Sequence, residues 1–127
     1  MKFPYAIAAA LLIGIGLGAG AVHSLHAEKA PPTYLIAEID VIDHESYLKD
    51  FVPRAEANIK AFGGRILAAT GKVGTIEGAP PSARVVLISW DGIDKVQSWR
   101  NAPESLEVRA LGHKYAKFRS YIVEGVP

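Results

Sequence analysis

The chain has 127 residues, with 14 Lys and Arg against 13 Asp and Glu, a formal net charge of +1 and no cysteine. So even a balance leaves no electrostatic footprint for nucleic acid or an anionic membrane surface. The absence of cysteine excludes disulfides, thiolate metal sites and cysteine nucleophiles.

Residues 1–27 read as a bacterial secretory signal peptide. Met1 to Tyr5 carries one cation, Ala6 to Val22 is an uncharged run of Ala, Leu, Ile and Gly, and His23 to Ala27 is a more polar exit ending in a small residue. Cleavage near Ala27 predicts a periplasmic or secreted protein. The alternative is an uncleaved membrane anchor at residues 6–22, at the short edge of what spans a bilayer. Membrane association is expected only in that case. No Arg pair suggests the twin-Arg route. Cleavage leaves Glu28 to Pro127, one domain with 13 charges of each sign. Residues 28–33, with Pro31-Pro32, form a short stiff linker to a domain over 34–126.

Tyr34 to Ile42 alternates as a strand, with Leu35, Ala37, Ile39 and Val41 on one face and Tyr34, Ile36, Glu38 and Asp40 on the other. Asp43 can N-cap a helix, with Ile42 and Tyr47 placed for a hydrophobic staple. Tyr47, Phe51, Ala55 and Ile59 form an apolar stripe flanked by Leu48, Val52 and Phe62. Pro53 should kink or split that helix, and Gly63-Gly64 ends it. Arg65 to Thr70 is a second strand. Gly71 and Gly74 suggest a bulge or bend before Val73 to Glu77 resumes extended structure. After the loop at Gly78 to Ser82, Arg84 to Trp90 is a third strand, apolar on both faces. Asp91-Gly92 opens a helix carrying Ile93, Val96 and Trp99, broken at Asn101-Ala102-Pro103. Pro103 starts a further helix holding Leu106, Ala110 and Tyr115, with Gly112 as a weak point. Phe118 to Val123 is the last strand.

The order β-α-β-β-α-β predicts an α+β ferredoxin-like sandwich, an antiparallel sheet with its helices on one face. Strands apolar on both sides need a second cover. A two-fold-related copy supplies one, so a homodimer through the open sheet face is expected.

Several segments also resemble a known family: Tyr34 to Glu38, Asp43 through Tyr47, Ala61 to Arg65, Glu77-Gly78, Arg84 to Val86, Trp99, Asn101 to Glu104 and Ile122 to Gly125. Their order and spacing over Pro32 to Val126 are similar to DUF1330 domain proteins of the dimeric α/β-barrel superfamily. That resemblance implies the ferredoxin-like dimer and a ligand cavity between sheet and helices. It implies no reaction. The chain departs from the family at Ala102, often Ser, and at Ser105, often aromatic. Superfamily relatives include cofactor-free oxygenases, haem-degrading monooxygenases and lactone isomerases. The haem chemistry uses an Asn on the first strand, where this chain has only Glu38 and Asp40.

His44 and His113 are the candidate general bases, since imidazole titrates near neutral pH. Tyr47, Arg84, Trp99 and Asn101 are the candidate ligand contacts. Arg84 could hold a carboxylate or enolate oxygen, or pair with Glu77 across a hairpin. Trp99 beside Asn101 could line a cavity for an aromatic ligand. No metal is expected, because neither mature histidine has a spaced second ligand, and no cofactor is expected. The sequence therefore predicts a dimer that binds a small apolar or aromatic molecule. The alternative is a cofactor-free oxygenase or isomerase with a His base and an Arg oxyanion anchor.

Overall fold

The computed structural model describes residues 31–127. The signal peptide, the alternative anchor and the start of the linker fall on residues 1–30, outside the described residues. The described elements are β1 (Thr33–Val41), α1 (His44–Ser46), a π-helical turn (Tyr47–Phe51), α2 (Val52–Ala61), β2 (Arg65–Thr70), β3 (Arg84–Trp90), α3 (Ile93–Asn101), α4 (Pro103–Tyr115) and β4 (Ala116–Glu124). β1 begins inside the expected linker, because Thr33 is buried and paired with both Trp90 and Glu124.

The sheet has four antiparallel strands in the order β2-β3-β1-β4. This is the ferredoxin-like topology. The register assigns the faces, since paired residues share a side. Leu35, Ala37 and Ile39 lie opposite Ile88, Val86 and Arg84 on one neighbour and Ile122, Ser120 and Phe118 on the other. That face meets the helices and holds the buried core of Leu35, Ala37, Ile39, Tyr47, Phe51, Ile59, Ile88, Trp90, Val96 and Val108. The opposite face carries Tyr34, Ile36, Val85, Leu87, Tyr121 and Val123.

Asp43 caps α1 as expected, accepting from the Ser46 backbone N–H at 3.2 Å. The staple does not close: Ile42 is 64% exposed, and Tyr47 packs on Phe51 with ring centroids 5.3 Å apart. The helical stretch is divided into short pieces near Pro53, as expected. The π turn precedes it, with the Val52 N–H donating to the Tyr47 carbonyl five residues back. Widening the turn absorbs the missing Pro53 N–H and relieves its ring from the preceding carbonyls. The predicted stripe of Tyr47, Phe51, Ala55 and Ile59 faces inward through this turn. Leu48 is exposed, and Asn58 joins Ile59 on the buried side.

Further expectations are corrected. Val73 to Glu77 is not a strand: residues 71–81 are exposed, and Ile76 is fully solvated. An unexpected register break lies inside β2 between Ile66 and Ala68, while the chain bends at Gly71 as the sequence suggests. In α4 the buried side is Ser105, Val108 and Gly112, whereas Leu106 and Ala110 face solvent. Gly112 is a point of close approach, because a Cβ there would stand 2.5 Å from Phe51 Cε1.

Candidate functional site

The helices do not fill the space above the sheet. A cavity of about 420 Å³ remains, floored by Leu35, Ala37, Val86 and Ile88 and roofed by Phe51, Ala55, Ile59, Val96 and Val108. Its walls are mainly apolar, with polar groups at two poles.

One pole is Arg84 with Tyr47. Arg84 pairs with Ile39 across the sheet, so its side chain projects from the helix-facing side. Its guanidinium carbon lies 5.6 Å from the centre of the Tyr47 ring, a cation–π distance. Burial pushes the Tyr47 phenol above its usual pKa, and the Arg84 charge opposes that shift. Arg84 Nε is buried without a hydrogen-bond partner among the described residues. The expected pair with Glu77 does not form. Among the described residues the ion pairs are Arg65–Asp91 and Arg119–Glu38, and Glu77 sits in the exposed loop.

The other pole is Asn58, which is 3% exposed. Its Oδ1 accepts from Trp99 Nε1 at 2.7 Å and from Ser105 Oγ at 3.1 Å. An indole N–H only donates, so the amide oxygen must face Trp99. The amide orientation is thereby fixed, and Asn58 Nδ2 is left buried with no partner among the described residues. Asn58, Trp99 and Ser105 all border the cavity. Trp99 also packs on the fully buried Trp90, with centroids 5.2 Å apart.

Of the six residues picked from sequence, Tyr47, Arg84, Trp99 and His113 line this cavity. His113 is exposed at its edge, with its ring edge-on to Phe118 at 5.3 Å. His44 lies instead on a second, outer recess with Asp40 and Leu48, a recess that Tyr47 and Arg84 also border. Asn101 is exposed at the end of α3 and does not line the cavity. The partner of Trp99 is Asn58. The sequence carried a signal for it, since Asn58 interrupts the apolar stripe between Ala55 and Ile59. No described group of three or more His, Asp or Glu is placed to hold a metal ion. No helix among the described residues is long and apolar enough to cross a membrane.

The sequence profile of DUF1330, a domain of unknown function, matches residues 32–126. The chain belongs to the DUF1330 family. Similar solved structures place this DUF1330 domain among ferredoxin-like folds. A Rhodopseudomonas palustris protein of unknown function superposes with a TM-score of 0.63 at 9% identity, covering 85% of this chain and 93% of its own. SnoaB, a cofactor-independent oxygenase from Streptomyces nogalater, gives 0.57 at 12% identity over 77% of this chain and 96% of its own. A dimeric Bacteroides fragilis protein of unknown function and ferredoxin-like fold gives 0.50 at 14% identity over 73% and 95%. Identities this low establish a shared fold alone. No curated protein matches the DUF1330 chain in sequence.

Proposed function

We propose that this DUF1330 protein binds a small, mainly apolar or aromatic molecule in the cavity between its helices and its sheet. The observation that carries this reading is an apolar cavity of about 420 Å³ bordered by two buried, unpartnered donors, Arg84 Nε and Asn58 Nδ2. Ligand sites are typically apolar clefts with a few placed polar groups. A buried donor without a partner costs about 1–3 kcal/mol, which a ligand acceptor would offset.

The same reading includes assembly and export. The open sheet face presents half-buried Ile36, Val85 and Leu87 beside Tyr121 and Val123, which are 42% and 46% exposed. A second copy packed on that face would cover them, and the Bacteroides fragilis neighbour is itself a dimer. The layout of residues 1–27 supports export with cleavage near Ala27.

Binding is tested by tryptophan fluorescence, since Trp90 and Trp99 are the only tryptophans. A naphthoquinone such as 2-hydroxy-1,4-naphthoquinone should quench saturably. Ala55→Leu, which fills the cavity from the helix side, should weaken that quenching at least tenfold. Equal quenching of both proteins would sink the proposal.

One feature favours catalysis as a second reading. His113 lines the cavity that holds Arg84, so a base and an oxyanion donor border one space. SnoaB, with the same fold, is a cofactor-independent oxygenase. Oxygen consumption with a 1,4-dihydroxynaphthalene, the reduced form of such a quinone, lost in His113→Ala but retained in His44→Ala, would support it.

A further inference from the structure

We infer that the cavity selects an elongated, mostly apolar monoanion with an acceptor oxygen at each end, the anionic oxygen at Arg84 and a neutral one at Asn58. The inference rests on the binding reading above and names its ligand class. It makes Asn58 the residue that determines specificity.

The two donors lie at opposite ends of the site, by two independent routes. Tyr47 faces Arg84 and precedes Asn58 by eleven residues of near-continuous helix, a rise of about 16 Å at roughly 1.5 Å per residue. Along β3, Arg84 lies six residues before Trp90, a span of about 20 Å at roughly 3.3 Å per residue. Trp90 packs on Trp99, and Trp99 donates to Asn58. Between the two poles the floor is mainly Leu35, Ala37, Val86 and Ile88, with the exposed Ser120 beside Ala37. A compact ligand would meet one donor and leave the other unsatisfied.

The buried donors at the two ends differ in charge. A guanidinium carries a permanent positive charge, and Arg84 Nε is buried without a partner among the described residues, with the Tyr47 ring against its guanidinium. An anion there forms a charge-assisted hydrogen bond. At the far end Arg100 and Glu56 are exposed, and Arg109 donates to the Arg100 carbonyl at 3.1 Å. The buried donor at that end is the neutral Asn58 amide. Its orientation is locked by Trp99 and Ser105, so it can only donate. Asn58 therefore fits a carbonyl or ether oxygen and discriminates against a ligand that ends in a hydrogen-bond donor alone.

The probe is 6-acetyl-2-naphthoate, compared with 2-naphthoate, which lacks the acetyl oxygen, and 2-acetylnaphthalene, which lacks the carboxylate. Titration calorimetry on the full-length protein should show each truncated compound binding about tenfold more weakly, the size of one hydrogen bond to a buried group. Asn58→Asp keeps an oxygen toward Trp99 and Ser105 but removes the Nδ2 donor. In that variant 6-acetyl-2-naphthoate should bind no better than 2-naphthoate. In Arg84→Met it should bind no better than 2-acetylnaphthalene. If the wild-type protein binds all three compounds within twofold of one another, the two-ended inference is overturned while cavity binding stands. If none binds, both fall. The wild-type ratios decide the matter even if Asn58→Asp does not fold.

Discussion

Gly112→Ala tests how tightly the roof of the cavity is built. A Cβ at this position would lie 2.5 Å from Phe51 Cε1 and 3.0 Å from both Cδ1 and Cζ. Contact that close forces movement of the ring or the helix. The Phe51 ring is itself held by Tyr47 at 5.3 Å and Phe118 at 5.7 Å, and it is 9% exposed. Overpacking of this kind costs about 1–3 kcal/mol. Replacing a mid-helix glycine by alanine returns at most about 1 kcal/mol of helix propensity. The net expectation is a loss of about 1–2 kcal/mol, or roughly 4–15 °C in Tm for a domain of this size. The open side of Phe51 is the cavity, so a ring that yields must enter it and weaken ligand binding as well. Thermal unfolding followed by circular dichroism measures the first effect and fluorescence titration the second. Phe51→Leu placed on Gly112→Ala should recover stability relative to the sum of the single changes, because the clash is between those two residues. A Gly112→Ala protein that melts higher than wild type, with full ligand affinity, would refute the reasoning.

Tyr47 should keep its proton past the usual tyrosine pKa of about 10, because burial raises it. Its contribution to stability is then complete below about pH 10 and lost as pH rises through the higher folded value; ultraviolet difference titration of wild type and Tyr47→Phe would show this, and Arg84→Met should push the phenol higher still. The Asp43 carboxyl runs the other way. The Ser46 backbone N–H lowers its pKa, so its capping contribution is present above about pH 4 and fades as pH falls through the depressed folded value. Melting temperatures in acid should therefore depend less on pH in Asp43→Asn than in wild type. Leu87→Glu on the open sheet face should turn a sedimenting dimer into a monomer, and a wild-type protein that is already monomeric at micromolar concentration would contradict the proposed assembly.

The sheet was legible because alternation in β1 and β4 leaves one register that buries Leu35, Ile39 and Phe118 together. The helix starts were legible for local reasons, since Asp43 acts through a bond three residues away and Pro103 through its own fixed φ. What stayed hidden depends on partners far along the chain. Asn58 meets Trp99 and Ser105 across 41 and 47 residues, so Asn101, the nearer amide in sequence, looked like the better companion. Arg84 was balanced between Glu77 and a cavity. Strand pairing decided it, because opposing Ile39 turns Arg84 toward the helices. Val73 to Glu77 has strand-like residues, but β2 has already ended at Thr70 opposite Val85, and no neighbouring strand reaches it. The π turn itself was not legible, because apolar periodicity does not encode it.

That turn has an evolutionary side. A π turn holds one residue more than the α-helical turn it replaces. Removing one residue from Leu48 to Phe51 would let the helix close regularly, with the segments on either side kept nearly in phase. The sheet, α3 and α4 would be untouched, and the change would fall on the turn that holds Tyr47 against Arg84. A single-codon deletion is thus the smallest genetic step by which this scaffold could rebuild one pole of its cavity, and the length of this helix is the place where functionally divergent relatives should differ first.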